Sequence, residues 1–122
     1  MQLHTTLVAV AMMALCILPA SAQDGSVSAK EIQETWIGKE LIGTTASGAK
    51  AWLRLEPGGA ASVTAGTTSD TGTWRLSDTG YCTTWITIRA GQERCFTVTK
   101  SGSTFRVNNP DDSLSGYFTS IK

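Results

Sequence analysis

Lys50-Ala51-Trp52-Leu53-Arg54-Leu55-Glu56-Pro57-Gly58-Gly59-Ala60-Ala61-Ser62-Val63-Thr64-Ala65 reads as strand, turn, strand. In the first arm Ala51, Leu53 and Leu55 share one face, while Trp52, Arg54 and Glu56 share the other. That period of two, with one polar face, is the mark of a half-buried antiparallel strand. Pro57-Gly58-Gly59 supplies the hairpin turn, where positive φ accounts for the glycines. The alternation recurs downstream. Phe96 and Val98 alternate with Cys95, Thr97 and Thr99, and Phe105 and Val107 alternate with Thr104 and Arg106.

From Lys39 onward Thr, Val, Ile and aromatics dominate, and turn-forming residues cluster roughly every 8–12 residues, the signature of an all-β sandwich or barrel. About eight strands are expected, near 39–45, 50–56, 60–65, 71–77, 81–89, 93–100, 104–108 and 114–121. The connections are short enough to join antiparallel neighbours. A meander of short strands hides its edges most simply by closing, so the expected fold is all-β: a small antiparallel barrel. Before it, Ser28-Ala29-Lys30-Glu31 is a capping box. Ala29, Ile32 and Trp36 then share the face of a short helix that ends at Gly38. Two helical turns are not stable alone, so Ile32 and Trp36 are expected to dock on one end of the barrel.

The N-terminus sets the expected compartment. Leu7 to Leu18 is an unbroken apolar run, too short to span a bilayer and of the length of a signal-peptide core. Pro19 and the small residues Ala20-Ser21-Ala22 follow, as a cleavage site requires, although Met1–Thr6 holds no Lys or Arg. The reading is a signal peptide over 1–22, a disordered leader over 23–27 and one domain over 28–122, periplasmic or secreted, with no stable membrane span after cleavage. Cys16 raises a lipid anchor as an alternative, against which stands Leu15 where a small residue is wanted. Cys82 and Cys95 are the mature pair of the three cysteines, and an oxidising compartment favours joining them. Two free buried thiols are the alternative.

Composition removes several functions. Ten acidic and ten basic side chains balance, with no basic run, so neither nucleic acid nor an anionic membrane is an expected partner. The sole histidine, His4, falls in the signal segment, which excludes Ser–His and Cys–His nucleophiles and histidine-ligated metal sites from the mature chain. No catalytic residue, metal or cofactor is expected. Glu40, Glu56, Glu93, Asp70 and Asp78 read as solvated carboxylates rather than a catalytic pair. Asn108-Asn109-Pro110-Asp111-Asp112 reads as a turn rather than a calcium loop. The tryptophans Trp36, Trp52, Trp74 and Trp85 fit either core packing or an aromatic pocket in a barrel mouth. Trp52, Trp74 and Trp85 are the candidate ligand-binding residues. Arg54, Arg75, Arg89, Arg94 and Arg106 read as outward-facing, with an anion-binding face as the alternative.

The order of features resembles a family of small exported proteins of unknown function found mainly in alphaproteobacteria. The likeness rests on the Ser-Ala-x-Glu-Ile helix start, Gly38–Gly43, Gly72-Thr73-Trp74-Arg75, Tyr81-Cys82-Thr83-Thr84-Trp85 and Glu93-Arg94-Cys95-Phe96. It covers nearly all of the mature chain and implies export, the disulfide and one β domain, with no activity attached. A weaker likeness is to the periplasmic inhibitors of c-type lysozyme, small eight-stranded barrels. Ser101-Gly102-Ser103-Thr104-Phe105 approaches their Ser-Gly-x-x-Tyr motif, with Phe105 in place of the tyrosine. The functional expectation is a non-enzymatic envelope protein that binds a small apolar or aromatic ligand. The alternative is a protein-binding module such as an inhibitor of a cell-wall hydrolase, acting through loops such as 101–104.

Overall fold

A computed structural model describes residues 24–122. The expected signal peptide over 1–22, with Cys16, lies outside the described residues. The elements are β1 (Gly25–Val27), α1 (Ala29–Thr35), β2 (Glu40–Thr45), β3 (Lys50–Leu55), β4 (Ala60–Ala65), β5 (Thr68–Leu76), β6 (Gly80–Trp85), β7 (Arg94–Ser101), β8 (Thr104–Asn108) and β9 (Leu114–Ile121). Each strand from β2 to β9 pairs antiparallel with the next, and β9 returns to pair with β2. The result is a closed antiparallel barrel of eight strands, which leaves the sheet without a continuous open edge.

Inward positions follow the period of two. Leu53 and Leu55 on β3, Tyr81 and Trp85 on β6, Phe96 and Val98 on β7, Phe105 and Val107 on β8 and Phe118 on β9 are all buried. Side chains of this size each contribute about 1.5–3 kcal/mol when taken from water. One end of the barrel is plugged by α1. Ser28 caps it, its Oγ accepting from the Glu31 N–H at 3.1 Å. Ile32 and Trp36 carry no exposed surface. The Trp36 ring meets Tyr81, Phe105 and Phe118 edge-on, with centroids 5.6–5.7 Å apart, an arrangement favoured by the aromatic quadrupole. Gly38, at φ +74°, turns the chain from the plug into β2.

Two expectations need correction. The leader over 23–27 is not wholly disordered. Gly25–Val27 forms β1 on the stretch of β7 next to where β6 pairs, Val27 is buried, and the Asp24 Oδ1 accepts from the Gly102 N–H at 2.7 Å. Three residues are too few to display a periodicity, and their partners lie some seventy residues downstream. The strand expected over 81–89 ends at Trp85, and the chain then makes two successive turns through Ile88–Gly91. The β-favouring run Ile86-Thr87-Ile88 hides this break, because the groups that enforce it come from β5.

Candidate ligand site in the barrel mouth

Chain direction places the β2–β3, β4–β5, β6–β7 and β8–β9 connections at the end opposite α1. This end is open, and a cavity of about 200 Å³ enters the barrel there. Its apolar wall includes Leu53, Val63, Trp85, Ile88, Phe96 and Phe118. A cavity of roughly 150 Å³ holds one benzene, so this one has room for a single ring with a short substituent.

The three candidate tryptophans fall in different places. Trp85 lines the cavity. Trp52 borders it, but its position on β3 is outward, in register with Ile42 and Thr64. Trp74 points inward nearer the plug, where its indole N–H donates to the Glu56 carbonyl at 2.7 Å. It packs against the core rather than at the mouth. Trp36 is the centre of the plug.

Cys82 and Cys95 are direct register partners on β6 and β7 and are joined by a disulfide. Beside them Arg75 grips Glu93 with two hydrogen bonds, Nε to Oε2 at 2.9 Å and Nη2 to Oε1 at 2.7 Å. The bonds to Glu93 raise the Arg75 pKa, and those from Arg75 lower that of Glu93. Arg54 pairs with Glu40 and Glu56, and Arg106 donates to the Asn108 side chain. In the 109–113 turn, the Asp111 Oδ1 accepts from both the N–H and the hydroxyl of Ser113, so this carboxylate is occupied inside the turn. Residues 101–104 make the exposed β7–β8 hairpin turn at the plugged end.

Arg89 departs from the outward reading of the arginines. Its guanidinium lies 5.6 Å from the centroid of the Phe96 ring, and Nη2 donates to the Thr83 hydroxyl at 2.9 Å. Both partners line the cavity. Nε is buried without a hydrogen-bond partner among the described residues. The ion pairs among the described residues are Lys30–Glu34, Arg54–Glu40, Arg54–Glu56 and Arg75–Glu93, so Arg89 has no carboxylate within 4.0 Å there. Burial pushes its pKa down, and the charge of Arg94 acts in the same direction. Burial also pushes the Tyr81 hydroxyl up, while the Arg89 charge acts on it in the opposite sense.

The backbone that carries this side chain is strained. Arg89 and Ala90 have φ of 56° and 52°, the left-handed region, and Gly91 follows at 74°. For a residue with a Cβ that conformation costs on the order of 1–2 kcal/mol. The loop is held by Asp70 on β5. Its Oδ2 accepts from the Thr87 N–H at 2.9 Å, the Thr87 hydroxyl at 2.9 Å and the Ile88 N–H at 2.8 Å. Its Oδ1 accepts from the Thr71 N–H at 2.8 Å. Sequence reading placed Asp70 in a turn and Arg89 in a strand. Neither residue carries a local signal for this loop, because it depends on contacts between β5 and the chain that follows its neighbour β6.

No known family, curated protein or solved structure matches the chain.

Proposed function

We propose that the protein is an exported, non-enzymatic binding module of the cell envelope whose barrel takes a small apolar or aromatic ligand. The observation that carries this reading is the mouth cavity of about 200 Å³, with a mostly apolar wall and few polar groups converging on it, the usual make-up of a small-molecule site. The Cys82–Cys95 disulfide supports an oxidising compartment. Among the described residues no helix is long and apolar enough to cross a membrane.

Titration with benzyl alcohol, followed by amide NMR, tests the reading with a probe of suitable size. The expected result is saturable shifts centred on Thr83, Trp85 and Val107. A folded Ala51→Phe variant, which fills the mouth, should lose them. Shifts that are absent, or scattered over the outer face of the barrel, would remove the proposal.

A further inference from the structure

Arg89 is half-buried at the mouth of the barrel, with its Nε buried. A guanidinium keeps its charge, and partly burying one without an acidic partner among the described residues carries a cost that the groups around it must offset. Here the protein supplies one hydroxyl, one carbonyl and one aromatic face: Thr83 Oγ1 at 2.9 Å, the Thr83 carbonyl at 3.3 Å and the ring of Phe96. Nε has no partner among the described residues. The chain also adopts two consecutive left-handed residues with side chains, Arg89 and Ala90, to bring the group there. Three hydrogen bonds from Thr87 and Ile88 to Asp70 hold that arrangement. A surface role would need none of this.

We infer that the mouth cavity is a site for a small organic anion: a monocarboxylate whose apolar body is about one aromatic ring, with its carboxylate on Arg89 and its ring against Trp85 and Phe96. The inference rests on the binding reading above and gives it a ligand class. Three independent features of the cavity select that class. The volume of about 200 Å³ limits the body to one ring with a one-carbon substituent. The apolar wall selects an uncharged body. The lone cation with unused donor capacity selects an anionic head, and the planar guanidinium fork matches a carboxylate. The second nearby cation, Arg94, is exposed and does not line the cavity, though its charge acts on Arg89. A longer fatty acid would exceed the cavity, and a dianion would meet a single charged partner within it.

The test compares benzoate with benzamide, a neutral molecule of nearly the same shape, by calorimetry on the folded, disulfide-bonded protein. Benzoate is expected to bind at least about tenfold more tightly, as a charge-assisted pair in a confined site allows. Arg89→Gln, with its fold checked by thermal melting, should bring the two affinities together. Arg94→Gln, at an exposed position, should keep most of the preference. Equal affinities in the unmodified protein would overturn the inference, as would an Arg94→Gln loss as large as that of Arg89→Gln, since the effect would then be diffuse surface charge. Both results leave the apolar binding reading standing if benzyl alcohol still binds. Failure of benzyl alcohol, benzamide and benzoate alike would overturn both proposals.

Discussion

Asp70 shows how one side chain can decide the shape of a loop far away in sequence. It accepts four hydrogen bonds, three of them from Thr87 and Ile88 across the strand pair. These bonds, the one from the Ile88 N–H first, hold its pKa at about 2, below the ordinary 3.8. The folded value is the lower one, so ionised Asp70 stabilises the fold fully above the ordinary value, and that contribution disappears as pH falls through about 2. Asp70→Asn leaves a side chain whose amide nitrogen cannot accept. At neutral pH the variant is expected to melt lower and to exchange its 86–92 amides faster. The difference between its melting temperature and that of the parent should shrink as pH drops from about 4 to about 2. Glu93 and Asp111 also have lowered values, and both curves contain them, so the difference isolates Asp70. A constant difference across that range would show that the loop is held by something else.

Among the elements, β6 and β7 share one of the shorter pairings in the barrel. Only Gly80–Thr83 of β6 finds partners on β7, at Arg94–Thr97, before the loop to Arg89 separates the strands. The Cys82–Cys95 bond joins them at that point, closing a loop with a sequence separation of 13. A loop of that length is worth about 3 kcal/mol by the chain-entropy account, and for a domain of this size that corresponds to on the order of 10–20 °C in melting temperature. Reduction verified by mass should lower the melt by about that much, and an unchanged melt would mean the bond contributes little. The strands themselves were largely legible from sequence because inward positions such as Leu53, Leu55, Phe96 and Val98 need the period of two to reach the interior. The capped helix was legible because Ser28 and Glu31 act locally. What could not be read were the features created by distant pairing: β1, whose partner is β7, and the inward turn of Arg89, which depends on Asp70 holding Thr87 and Ile88 from 17 and 18 residues earlier. The candidate site was half legible for the same reason. Trp85 announces itself as a large apolar residue on a strand, whereas Arg89 sits in a run that reads as more strand.

At the scale of the whole molecule, the decisive contact is the seam where the last strand meets β2. Closing eight strands requires them to coil sharply, and such bends bring backbones closer than side chains permit. At Gly43, beside a register shift in the β2–β9 pairing, a Cβ would lie 1.7 Å from the Tyr117 carbonyl oxygen. The same crowding recurs on the far side of the barrel at Gly72, where a Cβ would lie 1.9 Å from the Thr84 oxygen. The obstacle in both cases is backbone, which cannot rotate away as a side chain could. Gly43→Ala should therefore open the seam rather than merely crowd it, with a cost of about 3 kcal/mol, the upper part of the range for overpacking. The loss should be visible in two readouts at once: a lower melting temperature and faster hydrogen exchange along β2 and β9, with the β4–β5 pairing protected until global unfolding. The mouth cavity lies against this seam through Gly116, Tyr117 and Phe118. A seam that opens should also weaken benzyl alcohol binding before the protein unfolds. A Gly43→Ala protein with parental stability and unchanged exchange on both strands would mean that the barrel closes with room to spare, and the account of closure given by these backbone contacts would be wrong.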